Sequence, residues 1–156
     1  MKKKLLILVI LIICGCSSTD NRNIINKIEL DNYSCKIVTQ KDNHSGFNGD
    51  GDYFAKIKCS YIKYNKLSTN WKKLPLSNSL IEATNIDSCD SKGCYNISEK
   101  YNIPNITNGY YYFLYRHQKS NNKYDDKNLN NRTSYNYTLA ILDKDTNTIY
   151  YYELDT

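Results

Sequence analysis

Hydrophobic positions fall into three regimes along the chain. From Leu5 to Ile13 they form an unbroken apolar run, preceded by Lys2, Lys3 and Lys4. From Ser17 to about Asp31 polar residues dominate without strand alternation, which predicts a tether carrying one helical turn over 24–28. Beyond that point a period of two sets in. Tyr33, Cys35 and Ile37 alternate with Ser34 and Lys36, and Tyr53, Ala55, Ile57, Cys59 and Tyr61 alternate with Lys56, Lys58 and Ser60. Such alternation marks half-buried strands with one wet face. Gly109–His117 is aromatic on both faces and predicts a central strand. Tyr135–Leu142 and Thr148–Leu154 flank a five-residue polar turn and read as a hairpin, with Tyr135, Tyr137, Leu139 and Ile141 on one face.

Between Asn65 and Asn108 the pattern is mixed. Trp71 and Leu74-Pro75-Leu76 are expected to cover one edge of the core, and Ser79–Ala83 and Ser98–Tyr101 to form short helices. The expected fold is mainly β, α+β at most. It is an antiparallel sheet, as a small sandwich, a partly open barrel or a sheet lying open under a helix. The domain plan is a signal over 1–15, a lipidated cysteine and tether over 16–31, and one β-rich domain over 32–156.

The first regime carries the sharpest meaning. Basic, apolar and small-residue regions in that order are a secretory signal. Nine apolar residues are too few to cross a bilayer core, which takes about 20. Ile13-Cys14-Gly15-Cys16 resembles a bacterial lipobox, in which Cys16 would be acylated and become the first mature residue. A doubly acylated cysteine anchors stably where one chain does not. The expected location is therefore outside the cytoplasm, on a cell or outer membrane surface, with the lipid membrane as the first partner.

Charge and cysteine count refine this. The formal charge is +5, but Lys2, Lys3 and Lys4 belong to the signal. That leaves 18 of the 21 basic side chains against 16 acidic ones, a balance that argues against nucleic acid as a partner. Past Cys14 and Cys16 four cysteines remain, Cys35, Cys59, Cys89 and Cys94, an even number in an exported chain. Inward strand faces pair Cys35 with Cys59, and Cys89 with Cys94 then closes a short loop. The longer bridge stabilises by about 3 kcal/mol on the chain-entropy account. A Cys-x4-Cys zinc site is the rival reading, but no histidine neighbours it.

Lys41–Asp52 joins the first two strands and is dense in Gly, Asn and Asp. Its pattern D-x-H-x-G-F-x-G-D-G is followed by G-Y-Y-x-F at Gly109–Phe113, by Asp125-Asp126 and by N-T-x-Y-Y-Y-E-L-D-T at Asn147–Thr156. The set resembles an uncharacterised family of small bacterial proteins, many of them lipoproteins. The resemblance spans most of 42–156 and implies no known activity. The chain departs from it around Arg116-His117, where relatives carry an acidic residue before the arginine, so His117 is not carried over as a shared group.

Three readings compete for the loop. In the first, glycines permit positive-φ turns while Asp and Asn side chains bond the backbone. In the second, Asn48, Asp50 and Asp52 ligate calcium, although Tyr53 stands where an EF-hand needs glycine and Cys59 where it needs glutamate. In the third, His44 with Asp42 or Asp50 forms a general base or, with His117, a zinc site. The candidate binding residues are Asp42, His44, Asp50, Asp52 and Arg116. No catalytic set, metal ligand set or cofactor is assigned. No Ser-His-Asp order, nucleotide-binding glycine motif or HExxH is present.

The tyrosines of the last three strands are expected in core and sheet, or as an aromatic face for glycan or protein contact. The leading functional expectation is a membrane-anchored, non-catalytic envelope module that binds a protein or glycan. The alternatives are a small hydrolase or metal-dependent enzyme built on the 42–52 loop, and a protective lipoprotein acting against phage or toxin.

Overall fold

Tyrosine-rich strands with apolar residues on both faces need two covers, and the chain supplies both. The computed structural model describes residues 23–44, 49–85, 88–90, 93–117, 122–127, 129–132 and 134–156. The expected signal over 1–15, Cys16 and the 45–48 part of the loop lie outside them. One open sheet of six antiparallel strands has the order β1-β2-β8-β7-β6-β3. Its strands are β1 (Cys35–Asp42), β2 (Gly51–Cys59), β3 (Trp71–Lys73), β6 (Gly109–Tyr115), β7 (Tyr137–Asp143) and β8 (Thr148–Asp155). β4 (Ser88–Asp90) and β5 (Gly93–Tyr95) form a separate ribbon. The helices are α1 (23–27), α2 (Asn78–Asn85) and α3 (Ile97–Tyr101). The fold is thus mainly β, neither sandwich nor barrel, but a single sheet covered on both sides.

The first face buries Ala55, Ile57, Tyr112, Ala140, Leu142, Ile149 and Tyr151 under Ile24, Ile25, Ile28 and Leu30, with Trp71 at the edge. The second buries Phe54, Tyr111, Phe113, Tyr115, Tyr137, Leu139, Tyr150 and Tyr152 under Leu80 and Ala83 of α2 and Ile97 and Tyr101 of α3. Among the described residues, both cores are drawn from between Ile24 and Leu154. A chain beginning at Ser17 therefore contains every described core residue.

Two expectations are corrected here. The tether was expected to run to Asp31, yet Ile28 and Leu30 are fully buried and the indole Nε1 of Trp71 donates to the Ile28 carbonyl at 2.9 Å. Residues 23–30 therefore pack onto the first sheet face, where Ile62 and Trp71 join them. Tyr61 was expected to continue the inward face of β2, but it is 62 % exposed. Past Cys59 the chain leaves the ladder, Ser60 N donating to Ser34 O, and Ile62 is the residue that turns inward. The wet face expected for β2 is present at Lys56, Lys58 and Ser60, but Phe54 on the same side is buried by stacking on Tyr101.

Local signals explain the connections. Asn96 caps α3 by accepting from Glu99 N at 2.8 Å, and Asn102 ends it in the left-handed conformation. Asp143 folds the β7–β8 turn, accepting from Asp145 N and from the Thr146 hydroxyl. Cys35 and Cys59 are partners in the β1–β2 register and are joined by a disulfide. Cys89 and Cys94 are likewise opposite one another in the β4–β5 ribbon, and their side chains lie outside the described residues.

Gly109 opens β6 where a Cβ would sit against the Leu142 carbonyl oxygen. Gly109→Ala is therefore expected to lower unfolding free energy by about 1–3 kcal/mol, as an overpacking change does. Urea denaturation checks this.

Candidate functional site

The loop residues singled out from the sequence divide between the two faces. Asp42 ends β1, and its Oδ1 accepts from the backbone N of His44 at 3.0 Å and faces the ring Nδ1 at 2.6 Å. The opposite ring nitrogen, Nε2, lies 3.1 Å from Asp155 Oδ2 at the end of β8. Asp155 also takes Arg116 Nη1 at 2.9 Å, while Arg116 Nη2 donates to the Leu154 carbonyl at 2.9 Å. Beyond Arg116 stands Glu153, 3.8 Å from its Nε and 2.6 Å from Lys27 of α1. Asp42, His44, Asp155, Arg116, Glu153 and Lys27 thus alternate in sign across one corner of the sheet.

This chain joins the β1–β2 loop, the end of β8, the end of β6 and α1. The hydrogen bond to Asp42 raises the His44 pKa; desolvation works against that, and Asp155 adds to it. Asp42 is held low, first by the His44 backbone N–H and then by its ring. When protonated, the imidazole faces a carboxylate with each ring nitrogen and offers no lone pair for proton abstraction. The arrangement can clamp a loop and present a balanced polar surface. A cleft of about 490 Å³ adjoins it, lined by Asn23, Ile24, Gln40, Asp42, Tyr53 and Glu153.

Asp52 goes to the other face. It is 4 % exposed, and its carboxylate accepts from Tyr101 Oη at 2.5 Å, Lys100 Nζ at 3.0 Å and Asn43 Nδ2 at 2.9 Å. Burial raises its pKa, but the bonds from Tyr101, Lys100 and Asn43 outweigh that and hold it below the usual range. Asp50 is exposed in the loop. Gly51 is fixed by close approach, since a Cβ there would lie 2.5 Å from the His44 Cα.

In the described part of the loop Gly49 has a positive φ and Asp42 bonds the His44 backbone, both turn features. Asp52 is committed to α3, and Asn48 lies outside the described residues, so the alternating calcium set is not assembled among them. No group of three or more His, Cys, Asp or Glu among the described residues is arranged to hold a metal ion. His117 stacks on Tyr115 at 5.9 Å rather than joining His44.

Sequence reasoning missed Asp155, Glu153 and Lys27, which complete the charged corner. Asp155 and Glu153 lie on one face of β8 by simple alternation, but only the β2–β8 pairing brings them to the loop. It also missed Glu29 and Asp126, each held by tyrosine hydroxyls. No family model, curated protein or solved structure matches this chain.

The clamp has a defined pH window. Because the His44 pKa is raised in the fold, its contribution is complete below the ordinary 6.5 and is lost as pH rises through the raised value. Asp42 acts oppositely, contributing above its ordinary 3.8 and losing that as pH falls. The stability difference between the parent and His44→Ala should be largest between these limits, about 0.2–1 kcal/mol for so exposed a pair, and shrink above them. Denaturation from pH 4 to 9 measures it. Asp52→Ala should cost more, about 1.5–3 kcal/mol, because it strands Tyr101 and Lys100.

Proposed function

We propose that the protein is a lipid-anchored module of a bacterial envelope that binds a partner without chemistry of its own. One observation carries this reading: a basic–apolar–small segment ends at Cys16, and the described residues begin seven positions later at Asn23. Seven residues reach at most about 25 Å when extended. An acyl group on Cys16 would then hold the domain against the membrane surface, with no spanning helix required. The saturated state of His44 and Asp52 adds to it, since the most conspicuous polar groups are spent on the fold. The resemblance to a family of small bacterial lipoproteins points the same way.

The location outside the cytoplasm agrees with an oxidised Cys35–Cys59 pair, which such compartments maintain. The corner cleft beside Asn23 lies where the tether joins, so it would face the bilayer.

Expression of the full chain with a radiolabelled fatty acid tests the anchor. Label on the parent and in the membrane fraction, absent from Cys16→Ala, is the expected result. An unlabelled parent, or a mature N-terminus other than Cys16 by mass spectrometry, would refute the anchor.

A further inference from the structure

A second and larger cleft lies at the far end of the β1–β2 hairpin. Its volume is about 730 Å³, and it is walled by residues 29–34 on one side and 60–68 on the other. All ten lining side chains carry hydrogen-bonding groups: two tyrosines, two carboxylates, two lysines, three serines and an asparagine. We propose that this cleft binds an oligosaccharide, with Tyr33 and Tyr61 as ring platforms and the surrounding polar groups reading its hydroxyls. The proposal rests on the binding-module reading and assigns that module a site and a ligand class.

Three features favour a sugar. First, the charges cancel: Glu29 and Asp31 are matched by Lys63 and Lys66, so the cleft suits an uncharged ligand rather than an ion. Saccharide hydroxyls both donate and accept, and a wall mixing carboxylates, ammonium groups and hydroxyls serves both roles. Secondly, Tyr61 is 62 % exposed, and Tyr33 lines the opposite wall. A tyrosine ring offers apolar area for the C–H face of a sugar and a polar tip for its hydroxyls.

Thirdly, the cleft is built before any ligand arrives. Its walls are joined by the Cys35–Cys59 disulfide, by Ser60 N and Oγ donating to the Ser34 carbonyl, and by Tyr33 Oη donating to the Lys63 carbonyl at 3.1 Å. Glu29, in the left-handed conformation at φ 61°, forms a fixed floor. Its carboxylate accepts from Asn70 at 2.9 Å and from Tyr124 at 3.1 Å. Preformed walls spare the ligand the entropy of ordering them, which matters for weak, hydroxyl-based contacts.

Position decides between envelope components. Asn23 sits with Gln40 and Asp42 at one end of β1, whereas this cleft adjoins Cys35 at the other. The eight residues of β1 separate the two by roughly 25 Å at a strand's rise. A tether joining near Asn23 would attach at the opposite end of β1 from the cleft, which keeps the cleft clear of the attachment point and open to wall or surface glycan.

The test uses a soluble chain, Ser17–Thr156, titrated calorimetrically with N-acetylhexosamine oligomers and with neutral hexose oligomers. The expected result is saturable binding of at least one series, weakened roughly five- to tenfold by Tyr61→Ala with an unchanged melting temperature. Cys35→Ser/Cys59→Ser should weaken binding as well, by loosening the walls. No binding of either series would overturn the proposal, as would binding untouched by Tyr61→Ala. Because this chain lacks Cys16, saccharide binding by a protein found unlipidated would remove the anchor alone. Anchoring without saccharide binding would remove the cleft alone.

Discussion

Everything in this fold follows from one constraint: the central strands are apolar on both faces, so neither face of the sheet can be left to water. β8 shows it most plainly, with Tyr151 buried on one side and Tyr150 and Tyr152 on the other. The second face is covered by α2 and α3, which follow β3 in sequence. The first is covered by the residues before β1, with Ile62 and Trp71 packed beside them. That requirement turns an unremarkable polar segment into part of the core, and it also brings Lys27 and Glu29 to fixed places on the sheet.

The abundance of tyrosine acquires a physical role in the same frame. Three carboxylates at the margins of the two cores are each met by tyrosine hydroxyls: Glu29 by Tyr112 and Tyr124, Asp52 by Tyr101, and Asp126 by Tyr111. Each tyrosine buries its ring and fastens its tip to an anion on another segment. For Asp52 and Asp126 a lysine completes the group. A phenylalanine would fill the same space but leave the carboxylate short of a donor, and burying such a group unpaired is costly. Cover and sheet are thus pinned as well as packed.

Much of the sheet was legible in the sequence because period-two alternation is a local property. The terminal hairpin and the facing of Cys35 against Cys59 follow from it, and the strand at Gly109 from a run aromatic on both faces. What stayed hidden depends on pairing between distant strands. Nothing near Asp155 in sequence points to His44; the β2–β8 ladder alone puts them side by side. The polar look of 17–31 concealed Ile24, Ile25, Ile28 and Leu30, whose spacing is helical and too short to stand out from a tether. Of the candidate site residues, Asp42, His44 and Arg116 do meet, through Asp155. Asp52 is drawn to the other face because it is out of phase with Tyr53 along β2.

The central claim is that residues 23–30 are the cover of the first sheet face. Trp71 is the chain's single tryptophan and donates to the Ile28 carbonyl, so its fluorescence reports directly on that cover. The most direct measurement compares Ser17–Thr156 with a chain starting at Asp31, by tryptophan emission and thermal unfolding. The account requires a red-shifted emission and a much lower melting temperature in the shorter chain, or its failure to fold. Identical emission and melting in the two chains would contradict it.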